Sequence, residues 1–356
     1  MTKENIAVIY GGKSAEHEIS LLTAKSIINA INKDKYNVYP IFISHKGMWA
    51  RGNKIDYKIN SEKELVFTNF TQNISSLLFI DEKKIDVVFP VIHGTNGEDG
   101  TLQGFLEIVD IAYVGNNVLS SATGMDKAFM KKLFASAGLP QLPYVDFILP
   151  EWKNNKELIL KNLEDNLNYP MFVKPANLGS SVGISKCDNT TELIAGIEEA
   201  FNFDRKIVVE QGVTGAKEIE VAIIGNDVIK STDPGEILNI SASSEFYDYE
   251  TKYTDGQSRM EIPANINKEL YPKFREMAER SFRAIDGCGL VRADFFLTAD
   301  GEIFINEVNT MPGFTPFSMF PSLWANMGLT YEKLIEELIN LAKDKYNSKI
   351  NIRTEC

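Results

Sequence analysis

Residues 292–309 carry an order of residue types that few folds can accommodate. Arg292-Ala293-Asp294 and Glu307-Val308-Asn309 flank the run Phe-Phe-Leu-Thr-Ala-Asp-Gly-Glu-Ile-Phe-Ile-Asn. β-forming residues on either side of Asp300-Gly301 predict a strand, a tight turn and a second strand. Folding back brings Asp294 within one pair spacing of Glu307 and Asn309, and alternation directs Glu307 and Asn309 to the same face. Val308, Ile303 and Ile305 are expected to alternate against them, with the turn pinning the register. Two carboxylates, an Asn amide oxygen and a guanidinium then lie together, a set suited to magnesium and nucleotide phosphate. Any one of these acidic residues, taken alone, also reads as a charge facing water.

The rest of the chain bounds the classes open to it. At 356 residues, with 44% hydrophobic and 24% charged content, there is room for two or three domains with proper cores. A formal charge of −12 argues against a nucleic-acid partner, which would call for clustered Lys and Arg, while leaving room for one locally bound nucleotide. Cys187, Cys288 and Cys356 have neither CxxC nor His spacing, so no disulfide framework or zinc site is expected, and a reducing cytoplasm suits them. The N-terminus enters the strand-like Ile-Ala-Val-Ile-Tyr without signal-peptide features. No apolar run approaches the ~20 residues of a membrane span, so neither secretion nor a membrane partner is expected.

Strand and helix signals alternate in the first third: Ile6 to Tyr10, Ser20 to Ile31, Val38 to Ile43, Val87 to Ile92 and Gly100 to Val109. That rhythm predicts a parallel sheet with crossover helices, interrupted by an irregular polar stretch from Lys46 to Lys84. Ser120 to Ala137 reads as one helix stopped by Gly138-Leu139-Pro140. A small α+β unit follows, with strands at Met171 to Lys174, Gly183 to Lys186 and Lys206 to Glu210, and helices near Asn155 to Asn166 and Thr190 to Asn202. The remainder holds the hairpin, a closing helix from Tyr331 to Lys343, and a polar tail from Ser348 that reads as frayed. The domains expected are 1–122, 123–213 and 214–356.

Several loops carry further candidates. Phe172-Val173-Lys174-Pro175 runs into a loop with Gly179, Ser180, Ser181 and Gly183, whose backbone N–H groups can wrap phosphates, although a Gly-Ser turn alone also reads as a plain hairpin turn. Lys127 sits on the linking helix and by itself reads as a solvated residue. Val208-Val209-Glu210-Gln211-Gly212-Val213 has the form of a strand passing between domains, where backbone groups can meet an adenine edge. The first strand empties into Gly11-Gly12-Lys13-Ser14-Ala15-Glu16, at the strand end where parallel sheets bind ligands. Glu16 there could meet a substrate cation, while Ser14 to Glu18 also reads as helix-capping chemistry. A second such edge carries His93 and Glu98, with His93 alone reading as a structural hydrogen-bonder.

Taken in order, these segments resemble the ATP-grasp superfamily, and specifically the D-alanine–D-alanine ligases. The resemblance rests on Gly11-Gly12-x-Ser14-Ala15-Glu16-x-Glu18-x-Ser20, His93-Gly-x-x-Gly97-Glu98-Asp99-Gly100, Met125-Asp126-Lys127, Lys174-Pro175 with Gly179-Ser180-Ser181-x-Gly183, and Glu307-x-Asn309-x-x-Pro312-Gly313-x-Thr315, and spans nearly the whole chain. It implies a three-domain ATP-grasp fold with an N-terminal parallel-sheet domain, in a cytoplasmic homodimer. It further implies that Asp294, Glu307 and Asn309 hold two magnesium (or manganese) ions on the ATP phosphates. Lys127 and Lys174 would neutralise phosphate oxygens, and Glu210, Gln211, Val213 and Glu218 would hold adenine and ribose. Ser180, Ser181, Tyr247, Lys252 and Asn306 complete the implied ATP site. Glu16 would receive the ammonium of the first D-alanine, with His93 beside it. Arg292 and the Gly313 N–H would stabilise the tetrahedral oxyanion, and Ser318 and Met319 would bind the second substrate.

The segment Glu245 to Tyr253 corresponds to the closing loop of these ligases, in which Tyr253 would hydrogen-bond Ser180 and, through it, Glu16. An intact Tyr253 favours D-alanine as second substrate over D-lactate, while D-serine stays open. After Thr315 this chain reads Pro316-Phe317-Ser318-Met319-Phe320, where many members are more polar. A different ATP-grasp ligase, or a nucleotide-binding regulator without turnover, fits the Gly11 and His93 loops less well.

Overall fold

The computed structural model describes residues 3–179, 182–239 and 258–350. The N-terminal part builds a five-stranded sheet from β1 (Glu4–Gly11), β2 (Tyr36–Ile43), β3 (Trp49–Arg51), β6 (Val87–Pro90) and β7 (Ala112–Tyr113), with a two-residue ribbon of β4 (Phe79–Ile80) and β5 (Lys83–Lys84) beside it. Its order is β3-β2-β1-β6-β7, parallel except at the β3 edge. The central β1 is buried from Ile6 to Gly11, as its unbroken apolar run requires of a parallel strand covered on both faces. Helices α1 (His17–Ala30) and α2 (Thr101–Ile108) are the crossovers.

Two helices follow, α3 (Val118–Met125) and α4 (Lys127–Ser136), where the sequence reads as one. Asp126 makes the break. Its backbone is extended and its carboxylate accepts from the N–H groups of Ala128 and Phe129, capping α4 and ending α3. The next unit is an antiparallel sheet, β10-β9-β11-β8, of β8 (Tyr144–Ile148), β9 (Met171–Pro175), β10 (Ser185–Cys187) and β11 (Lys206–Gln211). It carries α5 (Leu149–Asn166), which starts earlier than the apolar pattern suggests and kinks at Asn155, and α6 (Thr190–Ala200).

The third sheet is antiparallel in the order β15-β14-β12-β16-β17, with β13 on the end of β12. Its strands are β12 (Lys217–Gly225), β13 (Ile229–Ser231), β14 (Gly235–Asn239), β15 (Ser258–Glu261), β16 (Gly289–Leu297) and β17 (Ile303–Asn309), with α7 (Tyr271–Ala284) on one face. After α8 (Met319–Asn326), α9 (Tyr331–Ile350) closes the chain. Helix α9 takes in residues 348–350, the start of the stretch expected to fray, and the rest of that stretch lies outside the described residues. Leu334, Leu338 and Ile339 of α9 share one apolar core with Ile6, Val8 and Val87 of the first sheet. Lys343 pairs with Glu4, and Lys345 donates to the Gly115 carbonyl at 2.7 Å. Among the described residues no helix is long and apolar enough to cross a membrane, and Cys187 and Cys288 are free and buried.

Candidate active site

The hairpin forms as the sequence predicts, with one departure that builds the site. Arg292 pairs with Asn309 and Asp294 with Glu307, but Phe295 pairs with Ile305, so Asn306 is an extra residue. Strict alternation would put Ile303 and Ile305 on the same side as Glu307 and Asn309. The bulge at Asn306 switches the side. Ile303, Ile305 and Val308 all enter the core beneath α7, while Asn306, Glu307 and Asn309 line the cleft above. Arg292 and Asp294 on β16 line the same cleft, and Ala293 and Phe295 point into the core.

The cleft encloses about 1420 Å³, its open mouth included, between the second and third sheets. Lys127, Lys174, Glu210, Gln211, Val213, Glu218, Arg292, Asp294, Asn306, Glu307 and Asn309, all picked from the sequence, line it. Their charges are ordered by direct pairing. Arg292 grips Asp294 through two hydrogen bonds of 2.7 Å, and its Nε lies 3.0 Å from Glu220. Burial works against the guanidinium charge, but Asp294 and Glu220 more than offset it and hold Arg292 protonated. Asn309 directs its amide nitrogen at Asp294, 2.8 Å away. Lys127, first residue of α4, donates to the Leu178 carbonyl at 2.7 Å and lies 3.5 Å from Glu307.

Behind this front sits a buried triad. Glu210 on β11 takes Lys174 of β9 on one oxygen at 2.6 Å and Lys131 of α4 on the other at 2.7 Å. Burial alone would raise the Glu210 carboxyl, but the two ammonium groups pull it down to about 2. Burial lowers Lys131, only partly offset by Glu210, whereas Glu210 and Glu307 overcome burial at Lys174 and raise it. Lys174 also lies 3.5 Å from the bulged Asn306. Gln211 turns its side chain to Asn168, so it offers the cleft backbone rather than an amide.

Lys131, Glu220 and Glu98 have no role in the sequence reading. The only local signals were slight: Lys131 follows Lys127 by one helical turn on a face otherwise built of Ala128, Met130 and Phe134, and Glu220 follows Glu218 by two along a strand.

A second cluster gathers the N-terminal loops. Ser14 donates to the His93 carbonyl at 2.7 Å and accepts from the Glu16 N–H, so it ties two loops together and caps no helix. Glu16 is buried; a methyl group added at Gly94 would come 2.9 Å from its carboxylate, and one at Gly179 3.7 Å. The Glu16 carboxylate thus lies between the His93 loop and the glycine loop after β9. His93, also buried, contacts Glu98 at 3.4 Å and Thr23 at 3.3 Å. Burial opposes protonation of His93, but Glu98 and Glu16 raise it; burial and Glu16 raise Glu98. Glu98 lines the cleft, so this cluster adjoins it.

Gly313 abuts Ser318, whose hydroxyl accepts from the Thr315 N–H at 3.1 Å. Met319 buries its side chain in the core, its sulfur against Gly235. As first residue of α8 it has only its N–H to offer a ligand. Ser180, Ser181, Tyr247, Lys252 and Tyr253 lie outside the described residues.

The donor set fits a hard divalent cation: the oxygens of Asp294, Glu307 and Asn309 share one strand pair, with Asn309 needing only an amide rotation to present its oxygen. A cleft of this kind, with carboxylates on its floor and lysines on its walls, defines a protein that handles a polyanion together with a divalent cation. The family profiles described as "D-ala D-ala ligase N-terminus" and "D-ala D-ala ligase C-terminus" match residues 5–116 and 133–340. A D-alanine–D-alanine ligase of Macrococcus caseolyticus is 54% identical over 99% of each chain. Among solved structures, the VanG D-Ala:D-Ser ligase of Enterococcus faecalis is 38% identical with a TM-score of 0.81, covering 96% of this chain and all of that one. The D-alanine–D-alanine ligase of Coxiella burnetii is 29% identical, also with a TM-score of 0.81, over 98% and 97%. The chain belongs to the D-alanine–D-alanine ligase family, and its fold is the ATP-grasp fold of that family.

Proposed function

We propose that the protein joins two D-alanines into D-alanyl-D-alanine at the expense of ATP, for peptidoglycan precursor synthesis. The observation that carries the reading is the meeting of β9, β11, β12, β16 and β17 around one cleft that the His93 loop reaches through Glu98, in a chain that matches the D-alanine–D-alanine ligases from end to end. In this reading a carboxylate oxygen of the first D-alanine attacks the γ-phosphorus and the bond to the β-phosphate oxygen breaks, giving D-alanyl phosphate and ADP. The amine of the second D-alanine, having lost a proton, attacks the activated carbonyl, and phosphate leaves the tetrahedral intermediate.

Residues 123–213 and 214–356 grip ATP between them, and residues 1–122 supply the first amino-acid subsite. Lys127 and Lys174 face the phosphates; Glu210, Gln211, Val213 and Glu218 line the adenine and ribose end, with Asn306 between. Asp294, Glu307 and Asn309 hold two magnesium or manganese ions, which neutralise phosphate charge when bound. Glu16 receives the first ammonium, with His93 and its partner Glu98 beside it. Arg292 and the Gly313 N–H face the developing oxyanion, and Ser318 with the Met319 N–H faces the second carboxylate. Ser180, Ser181, Tyr247, Lys252 and Tyr253 belong to the loops that close over the phosphates and exclude water. The active form is a homodimer, and cytoplasmic.

The test incubates the protein with ATP, magnesium and D-alanine, with and without equimolar D-serine or D-lactate, and identifies products by mass. D-alanyl-D-alanine with stoichiometric phosphate is expected. No D-alanine-dependent phosphate release sinks the activity, and D-alanyl-D-serine as main product moves the chain to the specificity named for VanG.

A further inference from the structure

We propose that His17, Glu18 and His45 form a binding site for a zinc-class divalent ion beside the Gly11-Gly12 turn that follows β1. One ligand atom from each of the three lies within 4.8 Å of the other two, the one such group of His, Cys, Asp and Glu among the described residues. The three come from two places in the fold. His17 and Glu18 open α1, and His45 stands in the turn between β2 and β3.

The His17 ring is prepared to be a ligand. It is buried, and its Nδ1 lies 2.8 Å from the Gly12 carbonyl. A carbonyl only accepts, so Nδ1 carries the hydrogen and Nε2 is left with its lone pair. This is how protein metal sites orient a ligating imidazole, with the other ring nitrogen donating to a carbonyl or carboxylate. His45 is held where it can join. Ser44 donates its N–H to the Met48 carbonyl at 2.9 Å and Gly47 closes on the Ser44 carbonyl at 2.8 Å, in a turn that Gly47 permits with φ of 77°. The His45 ring stacks on His17 at 3.6 Å between centroids, and its Nε2 lies 3.5 Å from Glu18.

One anchored ligand and two adjustable ones suit an ion that draws its site together. Zinc binds nitrogen and oxygen at about 2.0–2.1 Å, which sets tetrahedral ligand atoms about 3.3 Å apart. Closing the spread of 4.8 Å falls to His45 and Glu18, whose side chains are 65% and 77% exposed. Two imidazoles and one carboxylate favour zinc, copper or nickel over magnesium, so the site is distinct in ligand class from the all-oxygen set of Asp294, Glu307 and Asn309. Three protein ligands leave a fourth position for water.

The test titrates the full chain, without a histidine tag, with zinc chloride alone by calorimetry, and with cobalt(II) to read its visible ligand-field bands. One ion per chain is expected, with tetrahedral cobalt bands. His45→Ala and Glu18→Gln, both on exposed side chains, should each weaken zinc at least about tenfold, and Asp294→Asn should leave it unchanged. Absence of saturable binding overturns the site, leaving the stacked rings as a packing pair. Binding that survives both exposed substitutions, or that disappears in Asp294→Asn, overturns it equally.

Discussion

Glu210 is the residue on which most of the cleft's charge order depends. A carboxylate 3% exposed between Lys131 and Lys174 has no water to fall back on, so each ammonium is needed. Removing one partner of a buried pair costs about 3–5 kcal/mol, since the remaining charge loses compensation. Lys131→Met keeps the volume and deletes the charge; with Lys174 still in place, a loss of about 3 kcal/mol is expected in urea unfolding, together with a raised KM for ATP. An unchanged midpoint would mean that Lys174 alone satisfies the carboxylate. The pH dependence follows from the depressed carboxyl. Glu210 titrates near 4.5 when unperturbed and at about 2 here, so its stabilisation is complete above the unfolded value and is lost as pH falls from about 4.5 towards 2. Glu210→Gln should flatten that segment of a plot of melting temperature against pH. Arg292 presents a different test. Its two-point grip on Asp294 needs a planar fork, which Lys lacks. Arg292→Lys should lower kcat by about 10²–10³, the loss typical of one oxyanion donor, with a smaller change in the KM for ATP. An equal change in both would assign Arg292 to nucleotide binding.

Among the elements, the hairpin of β16 and β17 shows what one inserted residue does. Asn306 lets β17 bury Ile303 and Ile305 before the bulge and Val308 after it, while turning Glu307 and Asn309 to the cleft. Deleting Asn306 restores plain alternation with Ile303, Ile305 and Val308 still on the core side and Glu307 and Asn309 still on the cleft side. The deletion variant, like Asn306→Ala, should therefore stay folded in a melting experiment; a collapse of the deletion variant alone would show that the bulge's local bend, and not the facing of these side chains, is what the hairpin needs. The bulge was legible in principle, for Ile303 and Ile305 are odd-numbered and Val308 even, and no unbroken strand buries all three. The hairpin, the parallel sheet and the cleft residues Arg292, Asp294, Glu307 and Asn309 were readable because period and turn chemistry are local; the other seven of the eleven cleft residues took the resemblance to the D-alanine–D-alanine ligases to single out. What escaped was set by distant partners. Lys131 looked like any helical lysine until Glu210 arrived from β11, and Glu220 like any strand acid until Arg292 paired with it. The break between α3 and α4 was missed because the apolar pattern runs on through Asp126, whose capping role depends on its backbone angles.

For the molecule as a whole, the site works only if the first sheet is held against the third, and Asn116 does much of the holding. It is 2% exposed, donates from its amide nitrogen to the carbonyls of Leu290 at 2.6 Å and Thr310 at 3.0 Å, and accepts from the Cys288 N–H at 3.0 Å. Those three groups bracket β16 and the end of β17, the strands that carry Arg292, Asp294, Glu307 and Asn309. The backbones touch here as well: a methyl group on Gly289 would lie 2.9 Å from the Gly115 Cα, so neither side chain nor water separates them. Thr310 in turn reaches the Glu98 carbonyl at 3.5 Å, linking the strand end to the His93 cluster. Asn116→Ala orphans two carbonyls and one N–H, at about 1 kcal/mol or more each, so a loss of about 3 kcal/mol is expected in unfolding. Asn116→Asp has the same shape but sets an oxygen against both carbonyls and should be no better. If the clamp also positions the site, kcat/KM for D-alanine falls on the order of 10²-fold in both variants at temperatures where they remain folded, because a displacement near 1 Å between the loops and the hairpin is enough. A lowered melting temperature with kcat/KM intact would instead confine Asn116 to stability, and leave α9, through Lys343 and Lys345, as the element that registers the first sheet on the third.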